Sequence, residues 1–167
     1  MDWTSVGDQM SPVIVWWMAD DQIPDVVLVV VKGARVVLSG GYGGADIGTG
    51  RPVLPDQTRF RLASLSKPFT ALPAARLSDR GQLDLDADIR QYLDDEIPVI
   101  ACPGSVTTRQ LLTHTAVFDN TDIGDAAYHN ANVITLIEYV SERMIRQTSA
   151  PGHRFKYANP GYALAGR

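Results

Sequence analysis

The sequence predicts an α/β (α+β) domain in which an N-terminal β-hairpin of an antiparallel sheet stands beside a mostly helical region. Three observations carry this reading. Two Val-rich runs, Asp25 to Val31 and Val36 to Ser39, flank Lys32-Gly33-Ala34-Arg35, the pattern of paired strands joined by a tight turn. Two later stretches, Ser66 to Arg80 and Asn132 to Gln147, repeat apolar residues at helical spacing. With 167 residues, 45% of them hydrophobic, the chain suffices for one domain with its own core.

Each element has a local reason. Ser11-Pro12 reads as an N-cap and first helical residue, with Val13, Trp16 and Trp17 on one face before Asp20, Asp21 and Pro24 end the helix. In the first strand Val26 to Val31 does not alternate with polar residues, so that strand is expected to be buried on both faces. Six glycines between Gly40 and Gly50 then predict a loop as far as Phe60. The next helix carries Phe69, Leu72, Ala75 and Leu77 and ends at Gly81, a left-handed cap. Pro73, in its interior, predicts a bend or a boundary.

Beyond Gly81, the residues Leu83, Leu85, Ile89, Tyr92 and Leu93 form a short mixed segment. Thr107 with Gln110 matches a capping box that opens a small helix ending near His114. Val133, Ile137, Val140 and Met144 recur at spacings of four, three and four, which predicts the amphipathic helix 132–147. Asn159-Pro160 reads as the N-cap and first residue of a last helix.

Composition narrows the function classes. Lys and Arg number 15 against 19 Asp and Glu, a net charge of −4, and no basic cluster is present, so nucleic acid is not expected as a partner. The single cysteine, Cys102, rules out an internal disulfide and a multi-cysteine zinc site. His114, His129 and His153 are too dispersed for a helical metal pair, so no metal and no cofactor are expected, and His114 reads as structural. The apolar runs Val13 to Met18 and Val26 to Val31 fall short of the roughly 20 residues that cross a bilayer. Met1 to Met10 carries Asp2 and Asp8 and no Lys or Arg, unlike an export signal. No membrane association and a cytoplasmic location are therefore expected. The glycine cluster fits neither a dinucleotide fingerprint nor a phosphate-binding loop.

The sharpest motif is Ser64-Leu65-Ser66-Lys67, the only Ser-x-x-Lys in the chain. Residues three apart at a helix N-terminus lie one turn apart on one side, which brings the Lys67 amine beside the Ser64 hydroxyl. A serine becomes a nucleophile only beside a proton acceptor, and a partly desolvated lysine near other cations is one. The helix dipole further favours developing negative charge at Ser64.

Four stretches together resemble the serine β-lactamase and penicillin-binding-protein-like hydrolases, in particular the branch of class C β-lactamases, esterases and D-stereospecific peptidases. They are the hairpin with Gly40-Gly41-Tyr42-Gly43 leading to the Phe60 to Thr70 block, Gly81-Gln82-Leu83-Asp84-Leu85-Asp86, Thr107 to Phe118 with Leu111-Leu112-Thr113-His114-Thr115, and Tyr157-Ala158-Asn159 before Pro160-Gly161-Tyr162. They occur in the family's order from about Pro24 onward.

The resemblance implies a β-lactamase/transpeptidase-like fold and a serine hydrolase that attacks an amide or ester through an acyl-enzyme at Ser64. Lys67 is then the adjacent base or electrostatic partner. Tyr157 matches the tyrosine of the Tyr-x-Asn motif, a proton relay that needs a pKa below about 10, and Asn159 binds the substrate or orients Lys67. The implied partner is a small-molecule ester, a β-lactam or a D-amino-acid peptide.

Three departures accompany the match, the interior Pro73 among them. Val117 stands where relatives commonly have glycine, and the third family motif, Lys-Thr-Gly or a His/Lys-x-Gly variant, has no counterpart here. In relatives that motif's strand lends an N–H to the oxyanion hole, a donor whose loss costs roughly 10²–10³ in rate. The resemblance thus implies that residues 1–167 are a single β-lactamase-related domain lacking its C-terminal strands and third motif. The competing reading is a catalytically inactive truncated fragment or binding module of the same fold, in which the unpaired sheet edge at Val26 to Val31 promotes self-association.

Overall fold

A computed structural model describes residues 1–93, 104–120, 129, 132–143, 147 and 149–166. They form two compact units, Met1–Arg61 and Leu62–Arg167. No helix among the described residues is long and apolar enough to cross a membrane.

The first unit consists of helix α1 (Trp3–Asp20) and strands β1 (Asp25–Lys32), β2 (Arg35–Asp46) and β3 (Arg51–Pro52), in an antiparallel sheet of order β1-β2-β3. Helix α1 begins nine residues before the expected Ser11-Pro12 start, because Asp2 serves as N-cap and accepts from the Thr4 N–H. Pro12 lies inside the helix, and the Ser11 hydroxyl donates to the Gly7 carbonyl instead of capping. Its buried residue is Ile14, whereas Val13, Trp16 and Trp17 are exposed.

The hairpin forms where expected. Gly33 and Ala34 both have positive φ, 56° and 60°, the geometry of a type I′ turn whose twist suits a two-residue hairpin. Strand β1 is not buried on both faces: Val29 and Val31 are exposed, so nothing among the described residues covers that part of the strand. The glycine-rich segment is not a loop as far as Phe60, because β2 runs through it to Asp46, with Asp25 opposite Gly43 and Val27 opposite Gly41. Close backbone approach explains this use of glycine. A Cβ on Gly41 would lie 2.3 Å from the Val53 carbonyl oxygen, and one on Gly43, at φ 77°, would lie 2.1 Å from that of Pro24.

In the second unit a 3₁₀ turn, Ala63–Ser66, leads directly into α2 (Lys67–Asp79). The helix continues through Pro73 without a boundary, at the cost of the hydrogen bond that residue 73 would donate to the Phe69 carbonyl. Gly81 closes it at φ 68°, as the sequence predicts. The buried residue of α2 is Ala74, while Phe69, Leu72 and Leu77 are exposed.

A second 3₁₀ turn, Ile89–Gln91, is capped by Asp88, and α3 (Thr108–Leu112) opens with the predicted capping box between Thr107 and Gln110. Helix α4 (Leu136–Arg143) begins later than expected. Thr135 and Glu138 cap it reciprocally, Thr135 N–H to Glu138 Oε2 at 2.7 Å and Glu138 N–H to Thr135 Oγ1 at 3.2 Å. Val133 consequently precedes the helix and is exposed, Val140 is buried, and Met144 lies outside the described residues. Helix α5 (Asn159–Ala165) starts one residue early, with Ala158 at the cap position.

The core of this unit gathers Ile89, Val106, Leu111, Ala116, Phe118, Val140, Ala158 and Leu164. It anchors the end of α3, the loop after it and the start of α5, next to which His114, Tyr157 and Asn159 lie.

Candidate active site

Ser64 lies in the 3₁₀ turn and Lys67 at the first position of α2. Three residues per turn eclipse positions i and i+3 more closely than an α-helix does, and Lys67 Nζ donates to Ser64 Oγ at 3.1 Å. Ala63, just before Ser64, has φ 46°, a conformation costly for a residue with a Cβ and met most often where the surroundings impose it.

The same ammonium meets two groups from a distant part of the chain, Tyr157 Oη at 2.5 Å and Asn159 Oδ1 at 2.8 Å. An ammonium has three N–H donors and no acceptor, so Ser64, Tyr157 and Asn159 account for all of them. The Ser64 hydroxyl and the Tyr157 phenol are themselves hydrogen-bonded to each other. Lys67 Nζ also lies 4.7 Å from the centroid of the Tyr157 ring and 5.7 Å from that of Tyr162, which adds cation–π attraction. All four residues singled out in the sequence thus meet at one point. Asn159 does so as a partner of Lys67 rather than as a helix cap.

Backbone pinning fixes the segment that carries Tyr157. Lys156 N–H donates to the His114 carbonyl at 2.7 Å, Ala158 N–H to His114 Nδ1 at 3.2 Å, and Asn159 N–H to Asn120 Oδ1 at 2.8 Å. The His114 ring lies 4.3 Å from the Tyr157 ring at a tilt of 32° and 5.0 Å from that of Tyr162. Lys156 forms an ion pair with Asp119. Tyr162 donates to the Leu112 carbonyl at 2.8 Å. Burial, and then the neighbouring Tyr157, raise the Tyr162 pKa above the usual phenol value, so it keeps the proton this bond needs.

Burial, and after it the charge of Lys67, hold the His114 imidazole below the usual histidine pKa. This residue, read from sequence as structural, contacts the candidate site directly. Tyr162 figures in the sequence reading only as the end of the fourth matching stretch, with no role assigned, and Asn120 was not singled out. The one local signal for His114 is its place just past the capped α3, where it takes φ 57°; for Asn120, which pairs across 39 residues, the sequence offers none. Val117 adopts φ 63° and is 1% exposed, so a β-branched residue occupies the left-handed region that glycine enters freely.

A protein-family model described as Beta-lactamase matches residues 14–167. Esterase EstB of Burkholderia gladioli is 35% identical over 119 residues, covering 70% of this chain and 30% of that protein. The octameric penicillin-binding protein homologue from Pyrococcus abyssi has a TM-score of 0.78 at 26% identity, over 99% of this chain and 38% of that one. A class C beta-lactamase in complex with cefoxitin has a TM-score of 0.77 at 25% identity, over 99% and 44%. The chain therefore spans about a third of the length of the curated relative and under half that of the solved structures. Its helices and antiparallel sheet have the β-lactamase/transpeptidase-like fold, and with nearly the whole sequence matched, the chain belongs to the beta-lactamase family.

Proposed function

We propose that this chain carries the nucleophile centre of a serine hydrolase that cleaves an ester or amide, a β-lactam included, through an acyl-enzyme at Ser64. The observation that supports it is the convergence of Ser64 Oγ, Tyr157 Oη and Asn159 Oδ1 on Lys67 Nζ. The beta-lactamase family match and the esterase relative agree with this class of chemistry.

Lys67 Nζ donates to Ser64, Tyr157 and Asn159 together. It serves as the fixed positive charge that stabilises a Tyr157 phenolate, and the phenolate is the base. The Ser64 hydroxyl proton passes to Tyr157 Oη as Oγ bonds to the substrate carbonyl carbon. Tyr157 then returns that proton to the departing alkoxide or amine as the carbonyl carbon–heteroatom bond breaks. In the second half Tyr157 Oη takes a proton from water, the water oxygen bonds to the acyl carbon, and Ser64 recovers its proton as the Oγ–carbon bond breaks. Asn159 holds the ammonium in place between nucleophile and base.

Hydrolysis of a p-nitrophenyl ester and of nitrocefin by the purified chain tests this reading. Turnover lost on Ser64→Ala and Lys67→Ala supports it. Turnover unaffected by both substitutions overturns it.

A further inference from the structure

His114 engages the residues on both sides of Tyr157. Its carbonyl accepts the Lys156 N–H at 2.7 Å, its Nδ1 accepts the Ala158 N–H at 3.2 Å, and its ring lies against the phenol between them at 4.3 Å. His114 has φ 57°, and its carbonyl and its imidazole both meet the 156–158 segment. The Ala158 bond requires an unprotonated Nδ1, because a donor cannot meet a donor.

We propose that His114 is a positioning residue for Tyr157, which holds the phenol against Ser64 and Lys67 only while its Nδ1 is free to accept from Ala158. The proposal rests on the hydrolase reading for its effect on rate and on geometry alone for its effect on position. Protonation at Nδ1 removes the Ala158 bond and sets a second cation beside Lys67. The segment then loses one of three backbone anchors, those of Lys156, Ala158 and Asn159. Among the described residues, the charged and titratable groups around His114 are Lys67 of α2, Tyr157 and Lys156 ahead of α5, Tyr162 of α5, and Asp119, which pairs with Lys156. Of these, Lys67 opposes a charge on the ring, and burial opposes it further. The neutral acceptor therefore persists to lower pH than in a solvated histidine, and the phenol loses its placement when it fails.

Two variants separate this role from a merely structural one. His114→Asn places an amide oxygen near the position of Nδ1, tolerates positive φ and does not titrate. His114→Ala offers no acceptor. The expected result is that His114→Ala lowers kcat on the order of 10²-fold with little change in KM, the cost of a misplaced group. His114→Asn restores most of that rate and moves the acid limb of the pH–rate profile to lower pH. Wild-type kcat in His114→Ala, or one acid limb shared by wild type and His114→Asn, overturns the proposal. Imidazole ¹⁵N shifts read on the Ser64→Ala chain need no turnover, so they judge the positioning apart from the hydrolase reading. A neutral ring with its proton on Nε2 is expected, and a proton on Nδ1 overturns the proposal.

Discussion

Asn159 Oδ1 accepts from Lys67 Nζ at 2.8 Å across 92 residues of sequence, and that bond joins the start of α5 to the start of α2. Its geometry depends on both helix ends. Asn159 is the first residue of α5 rather than its cap, with its N–H held by Asn120, and Lys67 is the first residue of α2, reached from a 3₁₀ turn.

If Tyr157 is the base and Lys67 its charge partner, Tyr157→Phe and Lys67→Ala each lower the acylation rate by about 10²–10⁴-fold, the range for a positioned proton-transfer group. The double variant should fall little further than either single one, because groups acting as a unit are not additive. Stopped-flow acylation by a chromogenic β-lactam or an activated ester reads both effects. Independent, multiplicative losses would contradict the shared role.

Val117 is fully buried in a left-handed conformation. Val117→Ala removes about 1.6 kcal/mol of apolar burial at roughly 0.8 kcal/mol per methylene and keeps the backbone strain. Val117→Gly loses about 0.8 kcal/mol more of burial but releases strain worth about 1–2 kcal/mol. The glycine variant is therefore expected to be at least as stable as the alanine variant by urea denaturation. At an ordinary position glycine would be the weaker by about 0.5–1 kcal/mol, and that order here would refute the strain argument.

Thr107 caps α3 through its hydroxyl, and Gln110 returns the bond to the Thr107 N–H at 3.1 Å. Thr107→Ala should destabilise the fold by about 1 kcal/mol, and Thr107→Ser should recover most of it in the same denaturation assay. The Leu111 and His114 positions follow from this cap, so hydrogen exchange of residues 114–118 should rise in Thr107→Ala.

The folded-state pKa of His114 is held below its unfolded value of about 6.5 by burial and then by Lys67. Between those two values the unfolded chain binds more protons, so stability rises with pH across that window and declines as pH falls through it. The slope should disappear in His114→Asn, as read by denaturation midpoints at a series of pH values. A slope retained in that variant would assign it to another group.

Local chemistry made part of this legible. The Gly33-Ala34 turn, the Gly81 cap and the Thr107-Gln110 box are each decided within four residues, and the structure has them as predicted. The Ser64-Lys67 pair was legible for the same reason. Features decided by distant backbone were not. Gly41 and Gly43 look like loop residues until the carbonyls of Val53 and Pro24 arrive beside them. Val13, Trp16 and Trp17 were read as one apolar helical face, yet Ile14 is the residue that α1 buries. His114 read as structural because its partners, the N–H groups flanking Tyr157, lie more than 40 residues away.

The central claim is that Ser64 is the atom acylated. Incubation of the chain with a fluorophosphonate, followed by intact-mass measurement and peptide mapping, tests it directly. A single adduct on the peptide containing Ser64, absent from Ser64→Ala and slowed in Tyr157→Phe, is the predicted result. No adduct, or an adduct that survives Ser64→Ala, would contradict the assignment.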